Sequence, residues 1–282
     1  MSAQRRRRRT TARLRWPRRA TRQRWLRRLR RAPVGWRLLI GALLVAGVAL
    51  AINGVYQVAR KPTELFFPVS GALAKTPQET WREYGPAFRR YATPAIHAEL
   101  LAALAQVEGA GNPLVRTYWR WSWVARPFDL YRPASSAVGM YQITDGTFAE
   151  ARHYCIHHHA LLHEGAWNDW HSCWFNGLYL RIVPRDAIEL TAAYLDLKVN
   201  AILADERRGA ASALQRQHLA AVVHLCGAGA AGLYARRGFR FADRERCGAH
   251  DPREYLQRVD EMREVFTRLA GADGEAAAGP VQ

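Results

Sequence analysis

TPAIHAELLAALAQVEGAGNP, residues 93–113, opens on a Thr-Pro pair of the kind that starts helices and closes on Gly109, Gly111 and Pro113, which stop them. Between the two signals Ile96, Leu100, Leu104 and Val107 recur at helical spacing, so one face of this segment is buried. Glu108 follows Leu104 by four residues and therefore sits at the edge of that apolar stripe. A helix dipole disfavours a carboxylate in the last turn. Glu108 is thus either a tolerated surface residue or an acid kept for a purpose. A carboxyl group set against apolar side chains loses hydration when ionised and holds its proton closer to neutral pH, as glycosidic bond cleavage requires.

The same helix grammar recurs along the chain. Thr76-Pro77-Gln78-Glu79 carries a capping Thr, Pro at the first helical position and Glu at the third, and Asp251-Pro252-Arg253-Glu254 repeats the pattern. Residues 186–207 show an apolar stripe of Ile188, Ala192, Leu195, Val199 and Ile202, and residues 213–225 run helically up to Gly227-Ala228-Gly229. A last helix is predicted over 252–269, apolar at Tyr255, Leu256, Val259, Met262, Val265, Phe266 and Leu269. No alternating strand pattern and no internal repeat stand out. The expectation is a mainly α domain over 76–270, preceded by a linker at 60–75 with Pro62, Pro68 and Gly71, and followed by a disordered tail at 271–282.

A net charge of +18 first suggests a nucleic-acid ligand. Its distribution argues against one: 16 of the 42 Lys and Arg lie in residues 1–37, which contain no acid, and the remainder is near neutral. Leu38 to Ala59 is an almost continuous apolar run of 22 residues, interrupted by Asn53 and Gln57. About 20 residues span a bilayer, and Arg-rich flanks stay cytoplasmic. Residues 38–59 are therefore expected to be an uncleaved transmembrane signal anchor, with residues 1–37 as a cytoplasmic tail touching anionic lipid. Cys155, Cys173, Cys226 and Cys247 all lie beyond that segment, and their even number suits an oxidising compartment. Sequential pairing is favoured among three connectivities because each pair closes a short loop.

A second stretch, Ser135-Ser136-Ala137-Val138-Gly139-Met140-Tyr141-Gln142, leads into a turn and a helix-like run from Thr147. Together with Val107-Glu108-Gly109-Ala110-Gly111-Asn112-Pro113 it resembles the lytic transglycosylase family, whose soluble-lytic-transglycosylase domain has a lysozyme-like fold. Glu108 and Asn112-Pro113 match the family stretch that supplies the acid, with Gly109 where the family has Ser. Gly139 and Gln142 match the stretch lining the sugar groove, with Ser136-Ala137 for Gly-Ala and Met140-Tyr141 for Leu-Met. Ile188 and Tyr194-Leu195 fit a third pattern, with Ala187 and Thr191 replacing Asn and Gly. In the last motif, Val222 to Gly229, His224 stands where the family has a Tyr close to the acid, and Leu225 where it has Asn. The resemblance covers about 93–235.

What the resemblance implies is a peptidoglycan lytic transglycosylase needing no cofactor and no metal. Glu108 is the acid and base, and Ser136, Gly139, Met140, Tyr141, Gln142 and His224 bind substrate. Glu108 protonates the oxygen between N-acetylmuramic acid and N-acetylglucosamine, then takes the muramic 6-hydroxyl proton as a 1,6-anhydro end closes. The implied partners are peptidoglycan strands and the inner membrane, with a cell-envelope or secretion assembly as a further candidate and no nucleic acid. A hydrolytic muramidase on the same fold and a non-catalytic peptidoglycan-binding scaffold are the rival readings. The aromatic run Tyr118-Trp119-Arg120-Trp121-Ser122-Trp123 is open between a glycan groove and a core cover. Residues 153–174 hold six His and two Cys. They read mainly as a disulfide-stapled excursion over one edge of the groove, with a partner-docking surface and a metal module, His153 with His157 or His159 with His163 on a helix face, as the other readings.

Overall fold

The computed structural model describes residues 32–122, 129–169, 172–205 and 211–278. The chain divides into two units, Met1–Val55 and Tyr56–Gln282. Helix α1, Val34–Arg60, begins in the first and ends in the second. Its 27 residues rise about 40 Å at 1.5 Å each, enough to cross a bilayer. Leu38, Leu39, Leu43, Leu44, Val45 and Val48 are all exposed. α1 has the length and composition of a membrane span or a signal sequence. Residues 34–37, expected in the tail, belong to this helix; 1–31 lie outside the described residues.

The second unit is mainly helical: α2 (Pro77–Tyr91), α3 (Ala98–Gly109), α4 (Asp145–Ala151), α5 (Pro184–Asp205), α6 (Ala213–Arg236) and α7 (Pro252–Ala278). α2 starts where its cap predicts: Thr76 Oγ1 accepts the Glu79 N–H and Glu79 reaches back to the Thr76 N–H at 2.8 Å. Thr93-Pro94 behaves differently from expectation. Thr93 Oγ1 accepts the Ile96 N–H at 3.0 Å and closes a turn, so α3 begins only at Ala98. α6 breaks at Gly227, whose φ of 79° leaves the helical region, and then resumes to Arg236. α6 is also apolar and long enough to cross a membrane, but it packs between α5 and α7 as a core helix. Its Leu219 and Val223 join the core cluster that also holds Phe88, Leu100, Leu104, Ile188, Leu195, Val259 and Phe266.

Three expectations are corrected. Residues 60–75 are not a linker. They fold into 3-10 turns at Pro62–Phe66 and Gly71–Leu73 around a helical turn at Phe67–Ser70. They are sewn to the α3 end by the Lys75 N–H to the Ala110 carbonyl and by Gln106 Nε2 to the Lys75 carbonyl. The tail is helical as far as Ala278, where Asp273 accepts from Trp81 Nε1 at 2.9 Å; residues 279–282 lie outside the described residues. Two hairpins replace the expected absence of strands: β1 (Trp119–Trp121) with β2 (Tyr131–Pro133), and β3 (Tyr154–His157) with β4 (Ala160–His163), both antiparallel. Strands of three or four residues are too short to show alternation. The β3–β4 turn uses His158 and His159, both at positive φ, in place of the usual Asn-Gly.

The disulfides pair sequentially, Cys155–Cys173 and Cys226–Cys247. The first ties β3 to the 3-10 turn Cys173–Leu178, where Asn176 donates to the Tyr154 carbonyl. The buried Glu189 of α5 accepts from the Ile156 N–H and the Tyr179 hydroxyl, joining this hairpin to the core.

Candidate functional site

Glu108 lies in the last turn of α3. The helix closes with Ala110 in the left-handed region, its N–H on the Gln106 carbonyl and the Gly111 N–H on the Ala105 carbonyl, so the chain turns away immediately after the acid. α7 packs along α3 and brings Tyr255, 147 residues distant, over the carboxylate. The Tyr255 hydroxyl donates to Glu108 Oε1 at 2.6 Å, and His224 Nε2 stands 3.7 Å from the same oxygen. Among the described residues Oε2 has no protein hydrogen bond, and it is not one of the sealed, unpartnered atoms. The Glu108 side chain keeps 19% of its exposure, so a ligand can reach it.

The electrostatics follow from burial. The Tyr255 phenol is pushed well above its usual range by desolvation, then by the Glu108 charge and hydrogen bond, so it stays a proton donor to the carboxylate. Burial pulls His224 below the usual imidazole range, against the opposing pull of Glu108 and of a hydrogen bond to the Tyr141 backbone. His224 is therefore neutral at neutral pH. Its ring meets Tyr141 edge-on, with centroids 6.4 Å apart.

A cavity of 230 Å³ opens beside His224, lined also by Gln142, Thr144, Thr191, Tyr194 and Gly227. The Thr191 hydroxyl is buried with no hydrogen-bond partner among the described residues. Gln142 adopts a φ of 48° and donates to the Gly139 carbonyl at 2.9 Å and the Val115 carbonyl at 3.2 Å.

The residues expected to bind substrate separate into three groups. Gln142 and His224 line this cavity. Ser136 does not; its Oγ accepts the Asp145 N–H, and it lines a different cavity of 530 Å³. Met140 and Tyr141 are fully buried, which corrects their expected role as ligand contacts. Their task is packing: the Tyr141 hydroxyl anchors on the Leu101 carbonyl at 3.0 Å, and the Met140 backbone presses on α3 at Gly109. Gly139 is buried in the same turn, its N–H on the Val115 carbonyl. A Cβ on Gly109 would lie 2.8 Å from the Met140 oxygen and 2.9 Å from its Cα. That approach explains why Gly, and no larger residue, follows the acid. Asn112 does not face the cavity either; it donates to the Ser70 carbonyl and accepts the Leu114 N–H at 2.8 Å.

Sequence reasoning missed Tyr255 as a site residue. It falls on the apolar stripe of α7 and is 3% exposed, so its pattern is that of a core residue. The histidine segment is also reassigned. His153, His157, His159 and His163 lie on a hairpin and its flanks, not on a helix. His153 Nδ1 meets Glu164 at 2.6 Å and His159 Nδ1 meets the Ala92 carbonyl at 2.8 Å. Among the described residues no group of three His, Cys, Asp or Glu is placed to hold a metal ion; His171 lies outside them. Trp119 and Trp121 meet Tyr131 with tilted rings in the β1–β2 hairpin, neither in the core, while Trp123 lies outside the described residues.

No protein-family model matches this chain. A comparison with curated proteins finds no match either.

Proposed function

We propose that the second unit is a peptidoglycan lytic transglycosylase with a lysozyme-like fold. In this reading α1 holds it in the inner membrane, with the Arg-rich end cytoplasmic and the helical unit in the periplasm. The observation that carries the proposal is the environment of Glu108: one oxygen held by Tyr255 and approached by His224, the other free, with His224 also lining a cavity. The family resemblance expects a Tyr near the acid at the position of His224. Here α7 supplies a phenol from elsewhere in the chain, so the substitution does not deprive the acid of a hydroxyl donor.

The chemistry follows from that arrangement. Glu108 in its protonated form delivers the proton to the bridging oxygen through the unencumbered Oε2. The developing positive charge is spread over the muramic ring oxygen and the neighbouring N-acetyl group of the substrate. The Tyr255 hydrogen bond stabilises the carboxylate as it forms and fixes its rotamer. Glu108 then takes the 6-hydroxyl proton, and the 6-oxygen closes on C1. The side chains set against Glu108 Oε1 are a phenol and an imidazole.

The test is digestion of purified sacculi by the full chain and by Glu108→Gln, with mass spectrometry of the released muropeptides. The expected result is anhydro ends, one water lighter than hydrolytic products, from the wild type only. Hydrated ends would establish the muramidase reading. Equal release by both proteins would remove the Glu108-dependent enzyme reading, and retention on sacculi without release would leave a peptidoglycan-binding scaffold.

A further inference from the structure

The 530 Å³ cavity of the second unit is separate from the Glu108 site and is strongly basic. Arg60, Lys61, Arg120, Arg132 and Arg181 line it, with Asp145 as the one carboxylate among the lining residues. Three of the cations have partners: Arg60 faces Asp129 at 3.6 Å, Lys61 faces Glu64 at 3.3 Å, and Arg181 faces Asp145 at 2.8 Å. Arg120 and Arg132 have none among the described residues. They stand directly opposite each other across the β1–β2 ladder, with Trp119, Trp121 and Tyr131 on the alternate positions. Like charges opposed across an antiparallel pair repel and destabilise the hairpin. An anion held between two guanidinium forks reverses that sign.

A second observation points the same way. Thr63 lines this cavity, and its hydroxyl is buried without a hydrogen-bond partner among the described residues. Ser135 Oγ and Ser136 Oγ accept from the Ala137 and Asp145 N–H groups, so each has its own proton left to donate. The cavity thus gathers two unpaired guanidinium groups and the Ser135 and Ser136 hydroxyl donors, with the unpartnered Thr63 hydroxyl in its wall. Beside these, Phe66, Val138, Phe148, Leu180 and Ile182 supply apolar lining, and Phe66 and Leu180 are exposed. Gln57 and Arg60 belong to the last turn of α1, the apolar helix. If α1 spans a bilayer, its last turn lies at headgroup depth.

We propose that this cavity binds the phosphate of an anionic phospholipid, with Arg120 and Arg132 clamping the phosphate, Thr63 donating to it, and the Phe66 and Leu180 rim meeting the start of the acyl chains. The inference rests on the membrane reading of α1 and not on the transglycosylase chemistry. A free phosphate or a peptidoglycan stem carboxylate offers similar oxygens, but neither accounts for the apolar rim at the end of α1.

The test titrates the full chain in neutral detergent with dioctanoyl phosphatidylglycerol, dioctanoylglycerol, inorganic phosphate and a disaccharide pentapeptide, reading Trp fluorescence and thermal midpoint. The expected result is binding of the phosphatidylglycerol at least tenfold tighter than the other three. R120Q/R132Q should lose at least tenfold in that affinity, yet melt no lower than wild type without lipid, because the repulsion is gone. Thr63→Val, nearly isosteric, should weaken binding severalfold with folding intact. The proposal is overturned if both variants bind phosphatidylglycerol like wild type, or if the phosphate-free lipid binds as well. Equal affinity for inorganic phosphate overturns the lipid source, and preference for the pentapeptide assigns the site to peptidoglycan instead.

Discussion

Replacing Gly109 by Ser installs the residue that the family resemblance expects after the acid, and the structure forecasts harm instead of gain. The new Cβ would meet the Met140 oxygen at 2.8 Å, its Cα at 2.9 Å and its carbonyl carbon at 3.2 Å. Carbon atoms pack comfortably at about 3.5–4.0 Å, so the Met140 backbone must retreat by roughly 0.5–1 Å. It has little room to do so. Met140 is fully buried, Gly139 before it is tied to Val115, and Tyr141 after it is tied to Leu101. Overpacking a filled core costs about 1–3 kcal/mol. For a folded unit of this size that lowers the midpoint by roughly 2–10 °C. Gly109→Ala is the control, since it adds the same Cβ without the hydroxyl. The assay is thermal denaturation by circular dichroism, paired with sacculus digestion. Both variants should melt lower by similar amounts and digest more slowly, because Glu108 shifts with the displaced helix end. A Gly109→Ser protein that melts like wild type and outperforms Gly109→Ala would refute the packing argument.

Tyr255→Phe removes a charge-assisted hydrogen bond of about 1.5–3 kcal/mol, so kcat should fall about 10–100-fold with KM little changed, measured on defined glycan strands. His224 is depressed below the 6.5 of a free imidazole by burial, so the unfolded chain binds a proton that the folded one refuses. Its contribution to stability is therefore complete above that value and lost as pH falls below it. His224→Asn should flatten this acid limb in midpoint-against-pH curves. Ala110 sits at a φ of 49°, where an L residue is strained by about 1 kcal/mol; Ala110→Gly should stabilise by roughly that amount in urea titrations. Breaking Cys226–Cys247, which closes a separation of 21 residues beside the Gly227 kink, should cost about 3 kcal/mol in the same titrations and slow digestion through His224.

What could be read from the sequence was what neighbouring residues decide among themselves. The Thr76 cap, the apolar run that becomes α1, the stripes of α3, α5 and α7 and the break at Gly227 each rest on contacts a few residues apart. Sequential disulfide pairing belongs with them, because each bridge closes a short loop. Glu108 was legible for the same reason, through its place at the edge of a stripe just before a stop signal.

Tertiary structure alone decided what distant segments do to one another. Residues 60–75 look like a linker until the end of α3 offers them hydrogen bonds. His158-His159 makes a hairpin turn only because β3 has α5 to pack on. Tyr255 reads as core until α7 lies along α3 and its phenol finds a carboxylate. Gly109 reads as a departure from a motif until the Met140 backbone fills the space where its side chain would be. Arg120 and Arg132 read as surface charge until β1 pairs with β2 and sets them opposed over a cavity. Helix periodicity and capping are local energies written into short windows. Hydrogen bonds, close approaches and charge confrontations between residues many positions apart come into being only when the chain closes on itself, and the chemistry proposed for this protein depends on them.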